Sequence, residues 1–148
     1  MIIRQAKKSD KKEVIKLHIK LARSSMKFDK LIIPTRIGCN ILNDFEKNDA
    51  IILVAEDKGK LIGFAYGTIK KVKHLSIGRM GHFNDCYIEK AYRRKGIARK
   101  LTKQLMNWYK IKKIKYVDVY VDSKNTTGLK TWTCLGFRET DKCMRRKL

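Results

Sequence analysis

The stretch CYIEKAYRRKGIARKL, residues 86–101, decides how the chain is read. It opens as the end of an apolar strand and passes through a basic turn, Arg93-Arg94-Lys95-Gly96. It then enters a helical pattern in which Ile97, Leu101, Leu105 and Trp108 share a face. A strand, a short turn and a helix place unpaired N–H groups and the positive end of a helix dipole just after the turn, where phosphate binds well. Gly96 removes the Cβ where a backbone must approach an oxygen, and Ala98 is nearly as small. Three cations at an already positive helix end are disfavoured by roughly a few tenths of a kcal/mol each. A bound polyanion reverses that sign, and a plain basic turn is the alternative. Neither G-x-x-x-x-G-K-[ST] nor G-x-G-x-x-G occurs.

Outward from this stretch, RMGHFNDCYIE at 79–89 reads as a strand. Strict alternation puts Phe83, Asp85 and Tyr87 on one face and His82, Asn84, Cys86 and Ile88 on the other. YVDVYV at 116–121 reads as the strand beyond the helix, so the unit is a right-handed parallel crossover. On the amino-terminal side a strand is expected at 2–6. A helix follows, capped by Ser9 or Asp10, with Asp10 and Glu13 in capping-box spacing. Val14, Leu17 and Leu21, with Ile15, Ile19 and Ala22, form its apolar face; His18 sits beside that face as a partly buried surface residue. A second helix is expected over 35–47, where Ile37, Ile41 and Phe45 are four apart. AIILVAE at 50–56, a turn at Asp57-Lys58-Gly59-Lys60 and LIGFAYGTIKK at 61–71 make a hairpin, with Gly63 and Gly67 suited to a bulge or close packing. Asn125 to Leu135 reads as a helix closed by Gly136, and the tail from Phe137 predicts two short strands. The order β-α-α-β-β-β-α-β-α-β-β predicts a three-layer α/β fold whose mixed sheet is mostly antiparallel.

The 148 residues, 43% hydrophobic, suit one domain with a core and not a disordered chain. Thirty-six Lys and Arg against 14 Asp and Glu give +22, a field that favours phosphates, nucleic acid or anionic lipid. The lysines are scattered, as on an ordinary solvated surface. Cys39, Cys86, Cys134 and Cys143 show no metal-ligand spacing, so no metal site is expected, and Cys86 reads as a small buried side chain. No apolar run is long enough for a membrane span, and MIIRQAKKSDKKEV has no export-type apolar core. The expectation is a cytoplasmic protein with reduced thiols.

Arg93-Arg94-Lys95-Gly96-Ile97-Ala98 fits [QR]-x-x-G-x-[GA] between a strand and a helix. Asn125-Thr126-Thr127-Gly128 fits N-x-x-[AG], and that helix ends in Leu135-Gly136-Phe137. With the element order, these motifs resemble the GNAT superfamily of N-acetyltransferases over a single domain at 1–148. The resemblance implies acetyl-CoA as acetyl donor, bound where the strands at 82–88 and 116–121 splay apart. Pantetheine would pair with the backbone of Cys86, Tyr87 and Ile88. The pyrophosphate would sit on the turn of Arg93, Arg94, Lys95, Gly96, Ile97, Ala98 and Arg99, with Arg99, Lys100 and Lys130 as candidates for the outer phosphate. Asn125 would face the cofactor from the opposite wall. The resemblance also implies direct attack by an amine, with the N–H of Ile88 holding the oxyanion.

His82 and Asn84 occupy the positions where such proteins place a base; His82 suits the task near neutral pH, and a packing His is the even alternative. Glu89 and Asp85 are fallback carboxylates, Asp85 being the weaker because it lies on the other strand face. Trp132 stands where many relatives carry an acid Tyr. Acid help is therefore dispensable, or Tyr120 or Cys134 supplies it, or the protein binds acyl-CoA without turnover. The acceptor would be an amine of a small molecule, a protein N-terminus or a lysine. The overall charge argues against a polyamine acceptor and for an anionic or ribosome-associated one, and a homodimer is compatible with the resemblance. The rival classes are a non-catalytic acyl-CoA-binding module and a basic RNA-binding protein, for which no motif speaks.

Overall fold

The computed structural model describes residues 1–34 and 41–147. Its five strands are β1 (Ile2–Gln5), β2 (Ala50–Asp57), β3 (Lys60–Val72), β4 (Gly78–Ile88) and β5 (Val117–Val119). They form one sheet in sequence order; the first three pairings are antiparallel and β4–β5 is parallel. The helices are α1 (Lys11–Ser25), α2 (Ile97–Ile111) and α3 (Thr126–Cys134). α1 covers one sheet face, burying Val14 and Leu17 with Ile52, Val54, Phe64 and Tyr87. α2 covers the other, burying Ile97, Leu101 and Leu105 with Leu53, Ala65, Phe83 and Ile88. The expected three-layer α/β arrangement with a mostly antiparallel sheet is what forms.

β2 and β3 are joined where Lys58 and Gly59 both take positive φ (49° and 77°), the conformation a two-residue hairpin turn needs. α2 is fixed by apolar residues four apart. Its last buried member is Tyr109, not Trp108, which is only partly buried. Tyr109 fits because two strands present glycine beneath it. A Cβ on Gly81 would stand 2.7 Å from its ring, and one on Gly67 would collide with its phenol oxygen. That phenol donates to the Tyr109-facing carbonyl of His82 at 2.7 Å.

Four expectations are corrected. Alternation along β4 is broken: Tyr66 pairs with Asp85 and Gly67 with Phe83, so Asn84 is an extra, bulged residue. Phe83 therefore packs with Cys86 and Ile88 on the α2 face, while Tyr87 packs on the α1 face. Asp10 does not cap α1 with its side chain; its carboxylate accepts from the Lys7 N–H (2.7 Å) and from Arg4 (2.6 Å), which also reaches Glu56. β5 is three residues long, with Tyr116 and Tyr120 left exposed beside it. The tail forms no strand among described residues 137–147, since it has almost nothing to bury and Met144 lies in solvent. The second helix expected over 35–47 falls in part on residues 35–40, outside the described residues; of the rest, 41 and 42 are helical, with Ile41 buried in the α1-side core, and 43–46 are turns.

Candidate active site

β4 and β5 stay paired only at Gly81–Val117, His82–Asp118 and Phe83–Val119. Past Phe83 the strands part, and a cleft of about 270 Å³ opens between them. Asn84, Asp85 and Cys86 form one wall; Val119 to Asp122, Asn125 and Trp132 form the other; Leu21, Ser25, Phe28 and Ile32 close the α1 side. The Glu89 N–H donates to the Ile62 carbonyl (2.9 Å) on the β3 side. Antiparallel alternation then turns the N–H and C=O groups of Ile88 and Cys86 away from β3, toward the missing strand. Arg93 Nε donates to the Ile88 carbonyl at 2.9 Å, which ties the basic turn to this strand end.

The turn itself takes left-handed geometry at Arg94 (φ 63°) and Gly96 (φ 74°). A Cβ at Gly96 would meet nothing within 4 Å, so the glycine answers the backbone conformation, and the space before α2 is open. No side chain caps this helix end. The amides of Ile97, Ala98 and Arg99 are thus the unpaired N–H groups of a buried, well-anchored helix. Arg93, Arg94, Lys95, Arg99 and Lys100 surround them; Arg93 also stacks on Tyr87 and Lys95 on Tyr92.

On the opposite wall Asn125 caps α3, its side-chain oxygen accepting from the Gly128 N–H at 2.9 Å. Trp132 lies edge-on between Phe83 (4.6 Å) and Phe137 (5.3 Å). It is the ring that holds α3 to the sheet, because no residue of α3 is buried.

The structure brings His82 to the point where the strands diverge. Its Nδ1 is hydrogen-bonded to Asp118, its in-register neighbour on β5, and its ring lies 4.7 Å from that of Tyr120. His82 is 7% exposed and sits beside the cleft, not in its wall, whereas Tyr120 lines it. Glu89 is engaged elsewhere, with Lys20 of α1 and the Tyr87 hydroxyl. Asp85 does line the cleft, on the α1 side that it shares with Tyr87, and its carboxylate meets His18 Nε2 at 3.0 Å. Burial pushes the Cys86 thiol up to about 12, so it is no thiolate near neutral pH. Cys134 is exposed at the end of α3 and is not among the cleft's lining residues.

Three polar residues went unassigned in the sequence. Asp118 was signalled only as the acid within an alternating strand, and its partner follows from the parallel register. His18 is 3% exposed, deeper than expected, because its face of α1 meets the sheet. Asp122 follows β5 into the cleft wall. Among the described residues no group of His, Cys, Asp and Glu could hold a metal ion, and no helix is long and apolar enough to cross a membrane.

A mixed sheet that splits beside a basic, uncapped helix start defines a class of protein that holds a phosphate-bearing ligand across parted strands. The profile described as the acetyltransferase (GNAT) family matches residues 17–137, and the chain belongs to that family. It is an acetyltransferase that uses acetyl-CoA as donor. Among solved structures, a tetramutant of the BH1408 protein from Bacillus halodurans superposes with a TM-score of 0.86 at 20% identity, covering 100% of both chains. The aminoglycoside 6'-N-acetyltransferase AAC(6')-IG from Acinetobacter haemolyticus gives 0.79 at 20% identity, covering 100% of this chain and 98% of its own. The aminoglycoside N-acetyltransferase AAC(6')-Iy in complex with CoA gives 0.76 at 21% identity, covering 99% and 98%. At these identities the likeness is one of fold. No curated protein matches the chain by sequence.

Proposed function

We propose that the protein transfers an acetyl group from acetyl-CoA to a primary amine by direct attack within the β4–β5 cleft. One observation carries this reading: the strand edge turned away from β3 at Cys86 and Ile88 is tied, through Arg93 on the Ile88 carbonyl, to the turn that opens the uncapped start of α2. The edge fits an extended amide-bearing chain, the amides of Arg94 to Arg99 fit a pyrophosphate, and the exposed cations beside them fit further phosphate charge. Asn125 and Trp132 would bound the donor from the far wall. The solved AAC(6')-Iy complex with CoA supports the donor assignment by fold.

The donor supplies a thioester carbonyl; this chain's residues do the rest. The Ile88 N–H holds the carbonyl oxygen as negative charge develops on it, as a fixed dipole that needs no reorganisation. Asp118 accepts from His82 Nδ1–H, which sets the tautomer and leaves Nε2 as the basic nitrogen. His82 Nε2 takes the proton lost by the attacking amine, directly or through one water, and the C–S bond breaks as the C–N bond forms. Tyr120, on the cleft wall beside His82, is the proton source for the departing sulfur; Trp132 cannot serve, since an indole donates a hydrogen bond but is no useful acid. A covalent route through Cys86 is disfavoured because its thiol stays protonated.

Exchanging His82 for Ala is expected to lower turnover on an amine panel by about a hundredfold or more, with acetyl-CoA affinity by calorimetry unchanged. Unaltered turnover would remove His82 as the base. Absence of calorimetric binding of both CoA and acetyl-CoA would remove the donor site.

A further inference from the structure

The cleft differs in charge from the molecule around it. Of the 148 residues 36 are Lys or Arg, yet none of the 13 described residues lining the cleft is. Two of the 13, Asp85 and Asp122, are acids, and they stand on opposite walls. Both are held in place. Asp122 Oδ1 accepts from the Lys124 N–H at 2.8 Å. Asp85 Oδ2 meets Nε2 of His18 at 3.0 Å, and the His18 ring is packed edge-on to Phe64 at 5.5 Å with 3% exposure, so it has no freedom to turn. The other nitrogen of His18, Nδ1, is buried without a partner among the described residues. Such an orphan costs about 1–3 kcal/mol. Packing alone would favour an apolar side chain there, and what the imidazole does supply is the bond that aims Asp85 into the cleft.

Asp85, 29% exposed beside Leu21, Phe28 and Ile32, attracts a cation more strongly than a fully solvated carboxylate does, and Asp122, which is exposed, adds a weaker pull from the other wall. The amine that attacks must be neutral, so a carboxylate holding that same nitrogen as ammonium would oppose the reaction. The cation these acids suit is therefore a second one. We propose, resting on the acetyl-transfer reading above, that the acceptor is a diamine-type molecule. Its remote ammonium docks between Asp85 and Asp122, its carbon chain lies against Leu21, Phe28 and Ile32, and His18 is the positioning residue for Asp85. This reverses the expectation drawn from net charge. Exposed charges beyond about 8 Å are largely screened at physiological salt, so most of the scattered lysines do not act on this pair, although Lys70 lies over the Tyr120 ring at 5.8 Å.

The test titrates the linear five-carbon diamine and the matching monoamine into the full-length protein by calorimetry, with and without saturating CoA. The diamine is expected to bind about tenfold more tightly than the monoamine. Asp85→Asn should abolish most of that preference. His18→Asn should weaken the diamine by about threefold and leave the monoamine unmoved, a split that a merely structural role would not produce. Equal affinities of the two amines for the unmodified protein would overturn the proposal without recourse to any variant, as would a preference that survives Asp85→Asn. If CoA itself does not bind, the donor reading falls separately, and the amine preference is still read on the free protein.

Discussion

α2 and α3 both start at a wall of the same cleft, and they are held in opposite ways. α2 buries Ile97, Leu101, Thr102, Leu105 and Tyr109 against β2, β3 and β4, while α3 buries nothing and is joined to the sheet through Trp132. The wall that would take the pyrophosphate is thus part of the main core. The wall across from it is a light attachment whose order depends on one aromatic contact and the Asn125 cap. A cleft with one rigid and one weakly held side can admit a long ligand by local opening without global unfolding.

Three substitutions sharpen or break that contrast. Leu105 is fully buried, so Leu105→Ala should cost about 2–5 kcal/mol of global stability, read as a lower denaturant midpoint. A loss under 1 kcal/mol, roughly, would mean that α2 is not the anchor described. Trp132→Ala should free α3 first. Its amides should exchange faster, and acetyl-CoA should bind about tenfold more weakly, with a global loss near 1 kcal/mol. Slow exchange throughout α3 in that variant would show that the helix is held by more than the ring. The smallest effect is expected at the far edge of the sheet, where hydrogen bonding from Arg4 holds the Asp10 carboxyl below the usual range, against its partial burial. A lowered folded-state pKa means that stability is present above the unfolded value, about 3.9, and is lost as pH falls through the folded one. Asp10→Asn should cost on the order of 1 kcal/mol at pH 7. It should also flatten the acid limb of the melting profile below about pH 4, and leave exchange in α2 and α3 unchanged.

What could be read in advance follows the same division. The turn at Gly96 and the face of α2 are local patterns, and local patterns survive into the structure. Gly136 closes α3 as its position suggests, with φ 92° and its N–H on the Thr133 carbonyl. The two strands expected from Phe137 onward do not form because residues 137–147 offer almost no side chains to bury, and a strand edge is held only when one of its faces packs. The roles of Asp85, Asp118 and His18 were hidden for a different reason: each depends on register between strands or on a helix lying over the sheet. No period along a single segment reports such a pairing. Asn84 is the sharpest case. Nothing in RMGHFNDCYIE marks it as an insertion, yet it puts Phe83 on the face of Cys86 and Ile88, against simple alternation.

The Asn84 bulge also shows what one surplus residue contributes. Gly67 pairs with Phe83 and Tyr66 with Asp85, so a strand lacking residue 84 would keep both pairs and run as an unbroken ladder. Asp85 and Tyr87 would stay on the α1 side, and Cys86 and Ile88 on the α2 side. What would go is the bend and added twist that a bulge gives its strand, at the point where β4 leaves β5. A shortened β4 should therefore run straighter beside β5 and narrow the cleft, with its side chains on their present faces.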